Sequence, residues 1–196
     1  SHYDFLGTIE NFFSKCAPAM FMGWSNLNFD RRMFHFNFFK GNRYPYATHS
    51  SPNKEHDGLH IARAAQTLNP ETLKTELTVA GNPSLALESL SRMQGFDTSE
   101  SHTAYADALN SLRVLRIIKD KHKENWEKFL KTSTKSSVET LLTNEGVYSI
   151  FENVKGRNMM YLVSTLHPKH SFHPSYASWG YLWDLRRDPE PLLNLS

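Results

Sequence analysis

The chain has 196 residues, of which 39% are hydrophobic and 21% are charged, and its formal net charge is +2 with ten histidines. This length allows one sizeable domain, or one domain with a small addition, and it is sufficient to bury a core. The small net charge requires no anionic partner, so nucleic-acid binding would depend on a local basic patch. The lone cysteine, Cys16, excludes an internal disulfide and a multi-cysteine zinc site.

The cellular location is predicted from three features of the sequence. No apolar run approaches the ~20 residues of a membrane span, and the N-terminal SHYDFLGTIE does not have the build of a signal peptide. A single cysteine is typical of a reducing compartment, where we expect Cys16 to be a buried structural thiol. We therefore predict a cytoplasmic protein with no membrane partner.

The beginning of the chain predicts the order helix, strand, helix, loop. The segment HYDFLGTIENFFSK has helical spacing of its apolar residues, and APAMFMGWS is a short apolar run typical of a strand buried on both faces. A second helix is predicted from Asp30 to Lys40, with Asn28 or Asp30 as its N-cap and Gly41 at its end. The following GNRYPYATHSSPNKEHDG is rich in turn-forming residues and predicts a polar loop.

Three further helices are predicted. The pattern LHIARAAQTL predicts a helix that Asn69-Pro70 ends, and SLALESLSRMQG predicts a helix with Gly95 as its C-cap. A longer helix with one apolar side is predicted from about Thr103 to Lys131. Its basic residues form either a solvated face or a nucleic-acid contact, and the sequence leaves both interpretations open.

A change of composition after the long helix divides the chain. The segment KTSTKSSV, from Lys131 to Val138, predicts a polar linker, and after it the apolar runs YSIF, MMYLVSTL and YLWDL alternate with turns. We therefore predict an α/β domain over residues 1–131, followed by a linker and a small β-rich module over residues 132–196.

Asp30 is the first candidate functional residue. It follows the predicted strand in GWSNLNFDRR, and in open α/β sheets ligands bind at the carboxyl ends of the strands. The alternative interpretation is that Asp30 only caps the helix that follows.

His102 and Asp107 are the second candidate, in SHTAYAD at the start of the long helix. Positions five apart lie ~140° apart around a helix axis, so the two side chains can share a site only if His102 lies at or before the first turn. A histidine beside a metal-binding carboxylate is suited to act as a general base that activates water. The alternative is an ordinary surface histidine next to a helix capped by Ser101.

Together the two stretches resemble a known family. NxxFD after a strand, and HxAxxD at the start of a later helix, resemble the second and third motifs of the DEDDh family of 3′–5′ exonucleases. The segments GWSNLNFDRRMFHFNFF, HDGLHIARAAQTLNP and LALESLSRMQGFDTSESHTAYADALNSLRVLRIIK are similar to successive segments of its bacterial exonuclease I subfamily. HPKHSFHPSYASWGYLWDLRRDPEPLLNL is similar to the start of that subfamily's SH3-like domain. The resemblance implies a ribonuclease-H-like exonuclease fold followed by the start of an SH3-like module.

The same resemblance implies an activity and its metal ions. It implies 3′–5′ hydrolysis of single-stranded DNA to nucleoside monophosphates by a two-metal-ion mechanism, with Mg²⁺ as the metal and Mn²⁺ as its substitute. Asp30 and Asp107 would bind metal, and His102 would be the general base. The implied partners are the 3′ end of single-stranded DNA and a single-strand-binding protein.

Three substrate-binding residues are also implied, namely Asn26, Phe29 and Arg63. Asn26 and Phe29 would shape the pocket around Asp30, and we expect the Phe29 ring to pack rather than to contact a base. Arg63 matches a position that contacts the DNA strand, although an exposed helical arginine needs no such explanation.

One motif of the family has no counterpart in the chain. The first motif is Asp-x-Glu on the first strand, and it supplies two further metal-binding carboxylates, whereas Asp4 and Glu10 lie in a predicted helix. We therefore predict that a missing N-terminal segment or a second chain supplies Asp-x-Glu, with a degenerate relative of the family as the alternative, and that this chain alone is a poorly active portion. The motifs leave two alternatives open: an exoribonuclease of the same superfamily, or a non-catalytic module that binds single strands.

A histidine cluster remains without an assigned role. His167, His170 and His173, in HPKHSFHP, have loop spacing that suits a metal ion. No partner ligands are identifiable, so ordinary surface histidines are the simpler interpretation.

Overall fold

The computed structural model describes residues 1–165, 172–173 and 176–194. Within it the chain divides into two compact units, Ser1–Thr134 and Lys135–Ser196. Of the predicted histidine cluster, His167 and His170 lie outside the described residues, and only the backbone of His173 is described. The functional assignment of residues 1–131 and 132–196 stays a prediction.

The first unit contains helices on a small parallel sheet. Its elements are α1 (His2–Cys16), β1 (Met20–Gly23), α2 (Asp30–Lys40), β2 (Lys54–Asp57), α3 (Gly58–Leu68), α4 (Leu87–Met93), α5 (Ala104–Lys121), α6 (Lys123–Leu130) and a 3₁₀ turn (Lys131–Ser133). In the described residues of the second unit the elements are α7 (Lys135–Asn144), β3 (Val147–Val154), β4 (Arg157–Thr165), β5 (Phe172–His173), β6 (Tyr176–Gly180), β7 (Leu182–Asp184) and α8 (Glu190–Leu193).

Helix α2 has the predicted bounds but not the predicted N-cap. Gly41 is its C-cap, as expected, while Phe29 occupies the N-cap position and makes no side-chain hydrogen bond there. Asn28 lies too early, because its N–H donates to the Ser25 carbonyl at 3.2 Å in the preceding turn. Asp30 is already the first helical residue, where its negative charge is favourable to the helix dipole.

The strand β1 is half-buried rather than buried on both faces. It pairs in parallel with β2, from Met20 opposite Lys54 to Gly23 opposite Asp57, and no other described strand pairs with it. The prediction of a loop over the whole Gly41–Gly58 segment was therefore wrong at its end. The β2 sequence, KEHD, contains no apolar residue, so no hydrophobic pattern marks it as a strand.

The predicted long helix is two helices that are separated at His122. Its backbone has φ −120° and ψ 42°, and its carbonyl accepts hydrogen bonds from the N–H groups of Asn125 and Trp126 at the start of α6. The side chain is buried, and its Nε2 lies 2.6 Å from the Thr72 hydroxyl. This tertiary contact interrupts the helix at His122, although the helical spacing of apolar residues continues beyond that position.

Two apolar clusters hold the first unit together. The larger joins α3, α4 and α5 and contains Ile61, Ala62, Ala65, Leu73, Leu85, Leu90, Val114, Leu115 and Ile118. The smaller joins α1 to α2 through Leu6, Phe13 and Phe38. Cys16 is exposed at the end of α1, so the expectation of a buried thiol was wrong.

In the second unit, the three apolar runs form strands as predicted. Strands β3, β4 and β7 are an antiparallel sheet in that order, and β5 pairs with β6. The predicted linker is mostly regular structure, because α7 begins at Lys135, directly after the first unit. Among the described residues, none of the helices has the length and apolar character needed to cross a bilayer.

Candidate active site

The carboxyl ends of the two parallel strands define the candidate site. β1 ends at Gly23 and β2 ends at Asp57, directly opposite each other. α2 begins at Asp30 after a short connection, and α3 begins at Gly58 with no connection at all. This edge is where open α/β sheets bind ligands, and it presents two helix N-termini.

Asp57 is the most deeply buried charged residue at this edge, with 0% of its surface exposed. Its Oδ1 accepts hydrogen bonds from the N–H groups of Ser25 and Leu59, both at 2.9 Å. Its Oδ2 accepts from the Leu27 N–H at 3.3 Å. The carboxylate therefore both caps α3 and contacts the connection between β1 and α2.

Asn26 is buried in the same connection, beside Glu55 of β2. Its Nδ2 donates to Glu55 Oε1 at 3.4 Å, while its own Oδ1 has no partner among the described residues. Arg31 Nη1 lies 4.0 Å from Glu55 Oε2, too far for a hydrogen bond. Burial raises the pKa of the Glu55 carboxyl, and the nearby positive charge of Arg31 offsets only part of this rise.

Asp30 and Phe29 lie on the surface of the edge. The Asp30 side chain is exposed and forms no hydrogen bond or ion pair with any described residue. The Phe29 ring is 67% exposed, so the expectation that it packs was wrong for the described part of the chain. The reason is its position at the N-cap of α2, outside the contacts that bury Phe38 on the same helix.

The structure brings His102 and Asp107 together at the start of α5. His102 precedes the helix with a left-handed backbone, φ 72°, and its N–H donates to Asp107 Oδ1 at 3.3 Å. The helix is capped by the hydroxyl of Thr103, which accepts from the Ala106 N–H, and not by Ser101. Asp107 Oδ2 has no partner among the described residues, and it is free to bind a ligand.

The imidazole of His102 contacts an acidic residue that the sequence did not indicate. Its Nε2 lies 3.5 Å from Glu88 Oε2, on α4. Glu88 also lies 3.5 Å from Arg92, which makes a two-pronged contact with Glu76 at 2.9 and 2.8 Å. The His102 side chain is 82% exposed, so this contact is weak and the imidazole stays accessible.

Arg63 lies on α3, the helix that Asp57 caps. Its side chain is half-buried rather than exposed, and its Nε is a buried donor with no partner among the described residues. The structure does not bring it into contact with Asp30, Asp107 or His102 through any hydrogen bond or ion pair in the described part of the chain.

Most basic residues of the long helical segment are exposed, as in the solvated-face interpretation, namely Arg116, Lys119, Lys121 and Lys123. Arg113 lies over the Phe96 ring, 5.5 Å from its centre, and Lys121 Nζ donates to the Thr72 carbonyl at 2.8 Å. Arg116 lines the groove described next. A nucleic-acid contact by these residues stays a prediction.

An open groove of about 350 Å³ runs along β1. Met20 and Met22 of the strand line one side, and α5 lines the other from Ala108 onward. Ala108 directly follows Asp107, so the part of α5 that lines the groove begins one residue after this carboxylate.

The donor atoms of the site suit a hard divalent cation, but they are few. Asp30 and Asp107 both offer carboxylate oxygens that no other described residue binds, and such oxygens are the preferred ligands of Mg²⁺. Among residues 1–165 and the other described segments, no three His, Cys, Asp or Glu side chains are grouped to hold a metal ion. The two carboxylates fit a metal site as part of a larger set of ligands.

One functional residue that the sequence analysis missed, Asp57, has a local signal in the sequence. Asp57 precedes the apolar pattern of α3, which is the ordinary signal of an N-cap. Nothing local indicates that Asp57 also contacts Ser25 and Leu27, or that Glu88 approaches His102, because these pairs are distant in sequence.

The chain is similar in sequence to exodeoxyribonuclease I of several bacteria. It is 26% identical to that of Haemophilus influenzae over 178 residues, which are 88% of this chain and 37% of that protein. It is 27% identical to that of Buchnera aphidicola subsp. Baizongia pistaciae over 203 residues, covering 99% of this chain and 40% of that protein. The chain thus spans about two fifths of the length of these relatives. No protein-family model matches it.

Solved structures show the class of the fold. Escherichia coli exonuclease I in complex with a dA16 oligonucleotide matches with a TM-score of 0.80 at 22% identity, over 99% of this chain and 42% of that chain. Exonuclease I from Methylocaldum szegediense matches with a TM-score of 0.80 at 21% identity, over 100% of this chain and 41% of that chain. The predicted ribonuclease-H-like α/β exonuclease fold is therefore confirmed. Within that class, the resemblance to bacterial exonuclease I is also confirmed.

Proposed function

We propose that the chain is part of a metal-dependent 3′–5′ exonuclease that degrades single-stranded DNA to nucleoside monophosphates. The observation that carries this proposal is a pair of carboxylates, each at the start of a helix: Asp30 after β1, and Asp107 held beside His102. Both have oxygen atoms that no described residue uses, in a chain whose fold and sequence are similar to exonuclease I.

The carboxylates of Asp30 and Asp107 would hold the divalent ions, with Mg²⁺ as the physiological metal and Mn²⁺ as its substitute. Such ions supply charge stabilisation at the scissile phosphate and lower the pKa of a bound water. Two ions carry four positive charges, which two carboxylates offset only by half. The ligand set therefore requires further carboxylates, and we propose that they come as Asp-x-Glu from a segment outside this chain or from a second chain.

One edge of β1 is occupied by β2, and no other described strand pairs with its second edge, so such a segment would fit there. An added strand would form main-chain hydrogen bonds with that edge. The groove between β1 and α5 offers apolar contacts to that strand through Met20 and Met22. A carboxylate at its end would lie at the same sheet edge as Asp30.

His102 would act as the general base. It lies ahead of the first turn of α5, its ring is exposed, and its backbone is held by Asp107. An imidazole in this position can accept a proton from an attacking water and release it to solvent. Asp107 therefore has two roles in the proposal, because one oxygen orients the His102 backbone and the other is available to metal.

The proposed partners are the 3′ end of single-stranded DNA and a single-strand-binding protein. A related E. coli exonuclease I was solved with a dA16 oligonucleotide, and another related structure is an ExoI/SSB-Ct complex. In this chain Asn26, Phe29 and Arg63 are the proposed substrate contacts. The exposed Phe29 ring next to Asp30 can stack on an unpaired base, which requires no particular sequence.

The test is a nuclease assay on the chain after an Asp-x-Glu strand has been joined to it. We expect Mg²⁺-dependent release of mononucleotides from the 3′ end of single-stranded DNA, and little release when the added motif is Ala-x-Ala. Matched RNA oligonucleotides test the exoribonuclease alternative, which faster cleavage of RNA would support.

A non-catalytic single-strand-binding module is the second candidate function. It is favoured by the observation that the described residues contain no group of three metal-binding side chains. Normal binding of single strands, without cleavage after the Asp-x-Glu strand is restored, would support this candidate and contradict the nuclease.

A further inference from the structure

Asp57 accepts more backbone hydrogen bonds than the cap of a helix requires. The bond from the Leu59 N–H, at 2.9 Å, is sufficient for the cap of α3. The bonds from Ser25 and Leu27, at 2.9 and 3.3 Å, cross to residues that lie 32 and 30 positions earlier. Two of the three bonds therefore hold the connection between β1 and α2 and not the helix that Asp57 begins.

That connection needs an anchor, because its first turn has an unfavourable backbone. Ser25 has φ 58°, in the left-handed region that residues with a Cβ rarely adopt. The turn continues directly into α2: the Asn28 N–H donates to the Ser25 carbonyl at 3.2 Å, and the Arg31 N–H donates to the Asn26 carbonyl at 2.9 Å. A shift at Ser25 would thus be transmitted to the start of α2, where Asp30 lies.

A carboxylate is the side chain that suits this position. Both of its oxygens accept hydrogen bonds, whereas an asparagine would place an amide N–H₂ against one of the donors. Because Asp57 is completely buried, water does not replace a lost acceptor. The close approach is reinforced at Gly58, where an added Cβ would lie 2.9 Å from the Gly23 carbonyl oxygen.

We propose that Asp57 is a positioning residue for the metal-binding carboxylate of Asp30. It touches neither metal nor substrate, and it acts through the backbone N–H groups of Ser25 and Leu27. This inference rests on the proposed function, in which Asp30 binds the metal. Residues that orient metal ligands from outside the coordination shell typically change metal affinity by 10–100-fold when they are replaced.

Two substitutions separate the role of Asp57 as a cap from its role as an anchor. In D57S the serine hydroxyl still accepts from the Leu59 N–H, but it cannot hold Ser25 and Leu27 as well. In D57N one acceptor oxygen is lost. Amide hydrogen exchange should become faster at Ser25 and Leu27 in D57S while Leu59 stays protected, and in D57N it should become faster at Leu27, which bonds to the other oxygen.

The decisive measurement is the affinity for Mn²⁺, without DNA, of the whole chain joined to an Asp-x-Glu strand, read from paramagnetic broadening of the Asp30 amide signal in NMR. We expect D57S to weaken this affinity about tenfold or more. The control is L73A, which removes a buried side chain beyond the far end of α3. L73A should lower the melting temperature while the Mn²⁺ affinity at Asp30 remains that of the wild type.

The outcomes distinguish this inference from the proposed function. Unchanged Mn²⁺ affinity at Asp30 in a folded D57S or D57N variant would overturn the positioning role alone. An equal loss of affinity in L73A would overturn it too, because general destabilisation would then explain the effect. If Mn²⁺ does not broaden the Asp30 signal even after an Asp-x-Glu strand has been joined to the wild-type chain, the metal role of Asp30 fails and the inference fails with it.

Discussion

Asp57 and Asp30 lie at the same sheet edge, but they differ in how much they contribute to the stability of the fold. Asp57 is fully buried and accepts three backbone hydrogen bonds, so it contributes to folding. Asp30 is exposed and forms no bond with a described residue, so its carboxylate contributes little to stability. A charged group that the fold does not use is available for function.

The substitution D30N should leave stability unchanged and abolish activity. We expect the free energy of unfolding to change by no more than about 0.5 kcal/mol, because no contact is lost. In the chain joined to an Asp-x-Glu strand, Mg²⁺-dependent cleavage should fall by about two orders of magnitude or more, because a metal ligand is removed. The matched control is D120N, the same chemical change at an exposed position of α5. A similar loss of activity in D120N would contradict the assignment of Asp30.

Gly58 is required for the close approach of α3 to β1. An alanine there would place its Cβ 2.9 Å from the Gly23 carbonyl oxygen and 3.2 Å from the Trp24 ring. Helix propensity favours alanine by about 0.5–1 kcal/mol, but we expect the clash to dominate and G58A to destabilise the chain by about 1–3 kcal/mol. The control is G146A, where an added Cβ meets nothing within 4 Å. Urea unfolding checks both variants, and a stabilised G58A would contradict the close approach.

The site residues that belong to short sequence motifs could be predicted from the sequence. His102 and Asp107 belong to one short motif, and Asp30 follows an apolar strand, so their relation to secondary structure can be inferred from neighbouring residues. Glu55 was missed because β2 has no apolar residue and is recognisable only once it pairs with β1. Asp57 has the local signal of an N-cap, but its contacts with Ser25 and Leu27 are distant in sequence. Tertiary contacts create β2, and a single sequence does not show them.

At the scale of elements, the interruption between α5 and α6 is also a tertiary effect. Trp126, Phe129 and Leu130 of α6 pack against the same core as α5, so apolar spacing continues across the interruption. The continuity of this pattern led to the prediction of a single helix. The chain is instead turned at His122 by the hydrogen bond between its imidazole and the Thr72 hydroxyl.

A double-mutant cycle tests whether this hydrogen bond fixes the junction. T72V should destabilise the chain by about 1–3 kcal/mol, because it leaves the buried His122 Nε2 without this partner. H122Q should cost less, because the Thr72 hydroxyl still donates to the Asn69 carbonyl at 2.7 Å. The double variant should lose less than the sum, with a coupling of about 0.5–3 kcal/mol measured by urea unfolding. Strict additivity of the two losses would show that the two side chains do not interact.

For the whole molecule, two half-buried and two buried histidines predict how stability depends on pH. Burial is the first cause of a lowered pKa at His35, His49, His56 and His122, each from an ordinary value of 6.5. Below pH 6.5 the unfolded chain therefore binds protons that the native chain does not. The free energy of unfolding should decrease as the pH is lowered. Glu55 acts in the opposite direction, because its raised pKa lets the native state keep a proton that the unfolded state releases.

We expect the four histidines to outweigh the one carboxyl group. The urea midpoint of the chain should decrease between about pH 7.5 and about pH 5.5. The decrease should be smaller in H56Q, because glutamine does not titrate and its amide can still donate to the Phe129 carbonyl, which lies 2.9 Å from His56 Nε2. A midpoint that is constant or rises on acidification would contradict the sign of this prediction.

A Mn²⁺ titration of the wild-type chain and of D107N, each joined to an Asp-x-Glu strand and followed by NMR, tests most directly whether Asp30 and Asp107 serve one metal site. In the wild type we expect the Asp30 and Asp107 amide signals to broaden over the same range of Mn²⁺ concentration. In D107N, broadening at Asp30 should require a higher concentration, because a ligand of the shared site has been removed. Broadening at Asp30 that is identical in the wild type and in D107N would contradict a shared site and, with it, the proposed exonuclease centre.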